Sequence, residues 1–196
     1  MSTTAEDKLY TYSDYITFPE GKRIEIIDGY IYNMATAPTR IHQEIIMELS
    51  AEIRNYIKHN NGNCKVYPAP FDVILKNEDE EASNNKNVVQ PDISVICDKN
   101  KLTDRGCTGS PDMIIEVVSP FNPNSDYIRK LNLYDHYKIR EYWIVNPMKK
   151  TILVYKLDEN NQYAAPESYT FKDKINVSIY DNLEIDFNKL DLDQRK

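Results

Sequence analysis

The sequence predicts an α/β domain in which a mixed β-sheet is flanked by helices. Three observations carry that expectation. Met113-Ile114-Ile115-Glu116-Val117-Val118 is apolar on both alternating faces apart from one glutamate, the pattern of a strand covered on both sides. Tyr142-Trp143-Ile144-Val145 has the same character. Elsewhere, at residues 42–56, the apolar spacing changes to 3 and 4 residues, which is helical.

The elements follow in chain order. Arg23-Ile24-Glu25-Ile26-Ile27 and Tyr30-Ile31-Tyr32 flank Asp28-Gly29, a pair suited to the positive φ angles of a two-residue hairpin turn. His42, Ile45, Ile46, Leu49, Ile53 and Tyr56 share one face of a helix that starts behind an N-cap at Thr39 and ends near Asn60-Asn61-Gly62. Val66 to Leu75 and Val88 to Cys97 are rich enough in apolar and β-branched residues for strands, with the acidic, Asn-rich stretch from Asn77 to Asn87 as an exposed loop between them. A second helix is expected from a cap at Asn124 or Ser125 to about Lys138. After Tyr142 to Val145 the chain turns at Asn146-Pro147 into Thr151-Ile152-Leu153-Val154-Tyr155, and further strands follow. No internal repeat and no long Gly/Pro/Ser linker divides residues 1–196, so one domain is expected.

Composition narrows the function. A chain of 196 residues can bury a core without staples. Its net charge of −7 argues against a general nucleic-acid coat, because phosphate affinity comes from lysines and arginines. One local excess exists: residues 121–150 hold Arg129, Lys130, Lys138, Arg140, Lys149 and Lys150 against Asp126, Asp135 and Glu141, a net of +3. That segment is expected to border any nucleic-acid site, the alternative being an ordinary solvated helix face. Cys64, Cys97 and Cys107 form no CxxC pair and leave an odd count, which points to a reduced, cytoplasmic protein. With no 18-residue apolar stretch and no signal-peptide pattern at Met1 to Asp7, neither secretion nor a membrane span is expected.

The residues that carry chemistry stand out against this background. Glu116, inside a buried apolar strand, requires a compensating cation, metal or proton. A buried ion pair would satisfy it. Asp92, in Gln90-Pro91-Asp92-Ile93-Ser94-Val95-Ile96-Cys97, points opposite to Ile93, Val95 and Cys97, and two neighbouring strands each presenting one acid would repel unless they shared a divalent ion. A site of the magnesium type explains both, and the lack of a Cys/His cluster favours Mg²⁺ or Mn²⁺ over zinc. Lys130 falls with Leu133, Tyr134 and Tyr137 on one mostly apolar helix face; the alternative is a local pair with Asp126, worth about 0.2–0.5 kcal/mol. His42 points along the apolar face of its helix, where a histidine is more often a satisfied core residue than a functional one. Glu25 and Asp72 alternate with apolar neighbours and read as solvent-facing, as does Glu44.

The order Pro91-Asp92, Glu116-Val117-Val118-Ser119, then a helix bearing Lys130 resembles the PD-(D/E)xK nuclease superfamily, and within it the Uma2 family (DUF820) of restriction-endonuclease-like proteins. The likeness, with its core at about 24–157, also runs through Ile24-Glu25-Ile26-Ile27-Asp28-Gly29, His42-Gln43, Ala69-Pro70-Phe71-Asp72-Val73, Gly109-Ser110-Pro111-Asp112, Asp126-Tyr127-Ile128-Arg129-Lys130-Leu131 and Glu141-Tyr142-Trp143-Ile144-Val145. It implies a restriction-endonuclease-like core with an N-terminal hairpin and extra C-terminal strands. It also implies phosphodiester hydrolysis, with DNA as the partner and Asp92 and Glu116 holding Mg²⁺ (or Mn²⁺). The superfamily commonly places its lysine two residues after the acid, where this chain has Val118, so the resemblance implies that Lys130 substitutes, and it raises His42 to a further candidate catalytic residue. Cutting both strands would need two active sites and hence a homodimer. The competing expectation is a catalytically silent member that binds nucleic acid or a protein partner through the same fold.

Overall fold

The computed structural model describes residues 8–19, 21–34, 38–77, 79–119 and 126–192. A short helix, α1 (Tyr12–Tyr15), precedes the hairpin β1 (Ile24–Ile27) and β2 (Tyr30–Asn33). The hairpin turn is the expected one, with Asp28 at φ 52° and Gly29 at φ 83° and Ile27 paired with Tyr30. Helix α2 (Arg40–His59) begins where the Thr39 side chain accepts the His42 N–H, and it buries His42, Ile45, Ile46, Leu49, Ile53 and Ile57.

Strands β3 (Lys65–Pro68), β4 (Asp72–Ile74), β5 (Val88–Val89) and β6 (Ile93–Ile96) replace the two continuous strands expected over 66–75 and 88–97. Each run breaks at a proline, Pro70 and Pro91, which has no N–H to donate to a ladder. The halves then enter different sheets. Strands β7 (Leu102–Thr103), β8 (Gly106–Thr108) and β9 (Met113–Val117) follow. A π-helical turn, Asp126–Lys130, leads into α3 (Leu131–His136). The helix cap expected at Asn124 or Ser125 lies outside the described residues. Strands β10 (Glu141–Asn146), β11 (Thr151–Lys156), β12 (Glu167–Thr170), β13 (Lys174–Asn176) and β14 (Glu184–Asp186) complete the order.

The strands form two six-stranded mixed sheets, where the sequence suggested one. Their orders are β2-β1-β5-β4-β8-β7 and β12-β11-β10-β9-β6-β3, with a separate β13-β14 ribbon. In the second sheet β9 runs parallel to β10 and antiparallel to β6. Alternation divides its side chains between two cores. Ile93, Val95, Met113, Ile115, Val117 and Trp143 pack with α2 and the C-terminal segment, whereas Ile96, Ile114, Val118, Tyr142 and Ile144 pack with the first sheet and α3. The described residues contain no helix long and apolar enough to cross a membrane.

The expectation of reduced cysteines is corrected. Lys65 pairs with Ile96, so the same register sets Cys64 beside Cys97, and the two form a disulfide, leaving Cys107 as a buried free thiol. Sequence spacing carried no signal of this, because the contact arises only from strand pairing.

One close approach governs the first sheet. Gly106 pairs with Asp72, and a Cβ at Gly106 would stand 2.0 Å from the Asp72 carbonyl oxygen. Gly106→Ala therefore forces β4 and β8 apart and is expected to lower unfolding free energy by about 1–3 kcal/mol. A urea denaturation curve with an unchanged midpoint would contradict this packing.

Candidate active site

A cavity of about 1060 Å³ opens where the two sheets, α2 and the π-turn converge. Asp92, immediately before β6, and Glu116, on β9, both line it. Ile93 faces Ile115 in the antiparallel register, so the next position sets Asp92 opposite Glu116. Neighbours opposed in this way share a face of the sheet.

Each carboxylate is fixed by specific partners. Asp92 Oδ2 accepts the Val117 N–H at 2.7 Å and lies 3.3 Å from His42 Nε2. His42 sits one turn into α2, so the helix start that Thr39 caps also delivers the imidazole to Asp92. Its other nitrogen, Nδ1, is buried with no hydrogen-bond partner among the described residues. Glu116 Oε1 accepts from Lys130 Nζ at 2.8 Å and from the Tyr134 hydroxyl at 2.8 Å. Lys130 and Tyr134 are four residues apart, one helical turn, which brings both to the same oxygen.

Glu25 completes the cluster, and sequence reasoning missed it. Read from its alternation, it should face solvent; instead it is 6% exposed, and its Oε1 accepts Lys130 Nζ at 2.9 Å and the Gln90 N–H at 2.9 Å. The physical reason is that β1 lies inside its sheet, between β2 and β5, with both faces covered. Only the unusual richness of carboxylates in otherwise apolar strands hinted at it. Asp72 is also corrected: its Oδ1 accepts the Tyr15 hydroxyl and the Gln90 amide, each at 2.8 Å. Glu44 pairs with Arg40 on α2. The side chain of Asp126, weighed above as a local partner of Lys130, lies outside the described residues.

Among the described residues, the basic segment 121–150 borders the cavity through Arg129 and Lys130 alone. Arg140 turns to Asp112 at 3.2 Å, Lys138 lies 3.9 Å from Asp135, and Lys149 and Lys150 are exposed in the turn after β10. Among the described residues the cavity wall also carries Lys22, Arg23 and Arg105, the last brought from a distant part of the sequence by the fold.

Burial raises the Glu116 carboxyl to about 8; Lys130 opposes the rise, while the charges of Asp92 and Glu25 add to it. Tyr134 is likewise pushed up, first by burial and then by the charge of Glu116. One ammonium facing several acids leaves excess negative charge, which a proton or a further cation can neutralise.

Three comparisons place the chain among known proteins. The solved structure of "a putative nuclease belonging to DUF820" from Anabaena variabilis ATCC 29413 superposes with a TM-score of 0.72, covering 92% of this chain and 96% of that one at 18% identity. The chain therefore has the fold of that protein. Residues 9–188 match the Uma2 family, described as "Putative restriction endonuclease", and the chain belongs to this family. It is also 25% identical over 153 residues to the uncharacterized protein slr1290 of Synechocystis sp. (strain ATCC 27184 / PCC 6803 / Kazusa), covering 76% of this chain and 75% of that protein.

The raised Glu116 carboxyl has a consequence for stability. Between the usual carboxylate value of 4.5 and about 8, the folded protein holds a proton that the unfolded chain has released. Folding stability therefore falls as pH rises through that window. Glu116→Gln removes this loss, so thermal melts in chelator should show the wild type declining more steeply than the variant. Parallel curves would contradict the assignment.

Proposed function

We propose that this protein is a metal-dependent endonuclease that hydrolyses phosphodiester bonds in DNA, with Asp92 and Glu116 as the metal ligands. The observation that carries the reading is Lys130, a residue 5% exposed whose ammonium is held between Glu25 and Glu116 on the wall of a cavity that Asp92 also lines. A buried ion pair is a poor stabilising device, since replacing all of its members by packed apolar groups is often neutral or favourable. The position of Lys130 beside paired acids on a cavity wall supports a catalytic role.

The donor set suits Mg²⁺ or Mn²⁺. Among the described residues, no group of three or more His, Cys, Asp or Glu side chains is arranged to hold a metal. Zinc needs three or four protein ligands. Magnesium is instead commonly held by one or two carboxylates, with water and phosphate oxygens completing its shell. When bound, such an ion withdraws charge from a phosphoryl oxygen and lowers the pKa of water.

The chain's own groups divide the remaining work. Lys130, fixed by two carboxylates, directs its ammonium toward the charge that develops on the reacting phosphate, an interaction already organised before substrate arrives. The Tyr134 hydroxyl and Lys130 both hold Glu116 Oε1, which orients the carboxylate. The Val117 N–H and His42 orient Asp92 in the same way. His42 is thus a positioning residue in this proposal.

Lys130→Met deletes the charge but leaves two buried carboxylates uncompensated, a loss of about 3–5 kcal/mol for a broken buried pair. The double variant Lys130→Met, Glu25→Gln removes part of that penalty and is expected to recover stability. Strand cleavage, assayed on plasmid, single-stranded DNA and RNA with Mg²⁺ or Mn²⁺, should nevertheless fall by about 10²–10³. Full activity in the double variant would remove Lys130 from the chemistry. A folded wild type that cleaves none of the three substrates would instead favour a silent binding protein.

A further inference from the structure

Exposed or half-exposed cations line the cavity above its buried acids: Lys22 and Arg23 before β1, Arg105 in the turn between β7 and β8, and Arg129 in the π-turn. None of the four forms an ion pair among the described residues. In a chain of net charge −7, this is a local concentration of positive charge with no acid matched to it. A phosphate backbone fits such a rim.

Two of these cations lie over aromatic rings that line the same cavity. The Arg129 guanidinium stands 3.9 Å from the Tyr32 ring centroid and the Lys22 ammonium 4.8 Å from that of Phe18. Phosphate alone has no use for flat faces. Nucleobases do, but bases within a duplex are stacked on one another and offer a protein only their edges. Rings and guanidinium planes beside a basic path are what an unpaired strand uses, through base stacking. The acids lie at the cavity's buried floor, so a strand must enter it to reach them.

Resting on the nuclease reading above, we infer that the cavity takes an unpaired nucleic-acid strand, with one base stacked on the Tyr32–Arg129 platform and flanking phosphates on Arg23 and Arg105. Tyr32 then sets strand specificity without taking part in hydrolysis. The duplex portion of any substrate stays outside, and the enzyme acts on single strands, tails or opened segments.

The test is binding of three fluorescein-labelled DNA probes by anisotropy, with Ca²⁺ in place of Mg²⁺: a short single strand, its blunt duplex, and the duplex with a single-stranded tail. The single strand and the tailed duplex should bind at least about tenfold tighter than the blunt duplex. Tyr32→Ala should weaken single-strand binding by about tenfold, the size of one lost base stack, and leave duplex binding unchanged. Tyr32→Trp should restore it. Equal or tighter binding of the blunt duplex, or a Tyr32→Ala variant that binds single strands at full strength, overturns the strand inference and leaves the nuclease reading standing. A wild type that binds none of the three overturns both.

Discussion

The bond between Lys130 and its two glutamates is the constraint on which the site depends. It joins residues 105 and 14 positions apart, on β1, β9 and the π-turn that leads into α3. The ammonium can be buried because Glu25 and Glu116 both accept from it, and the second oxygen-directed donor, Tyr134, comes from the next turn of the same helix. An isolated charge in that place would be strongly unfavourable. The contact therefore ties the three segments together at the site. A π-turn adds one residue to a helical turn and often marks functional positions, and here it carries Arg129 to the cavity rim and Lys130 to its floor.

The breaks at Pro70 and Pro91 serve the same geometry. If 88–97 ran as one strand, Gln90 and Asp92 would belong to one ladder. Because Pro91 interrupts it, Gln90 stays with the first sheet, giving its N–H to Glu25, while Asp92 begins the second and accepts the Val117 N–H. The seam between the sheets is thus lined by acids from both, and α2 closes it with His42. Such placement of acids at the ends and junctions of strands leaves the strand interiors free to pack, as Ile93, Val95, Ile114 and Ile115 do.

Much of this was legible in the residues. Asp28-Gly29, the Thr39 cap and the 3- and 4-residue spacing of α2 are local signals, and local physics fixes them. The inward face of Lys130 followed from Leu133, Tyr134 and Tyr137 in the same way. What the sequence concealed was long-range. Glu25 alternates like a surface residue and is buried only because another strand and the π-turn cover it. Cys64 and Cys97 meet through register alone. Lys22, Arg23 and Arg105 form no run, so the charged rim could not be read, whereas the run at 138–150 was conspicuous and turns elsewhere. Pro70 and Pro91, by contrast, are local signals: a residue with no N–H to donate interrupts a ladder wherever it falls inside one.

If Asp92 and Glu116, beside Lys130, hold a divalent metal, metal binding shows it without reference to any substrate. Titration of Mn²⁺ into the wild type, followed by the loss of its free-ion paramagnetic resonance signal, should show saturable binding. The Asp92→Asn, Glu116→Gln double variant, folded by circular dichroism, should show none. A wild type that leaves the free-ion signal unchanged, or a double variant that binds as tightly as the wild type, would rule out a metal site on these two carboxylates.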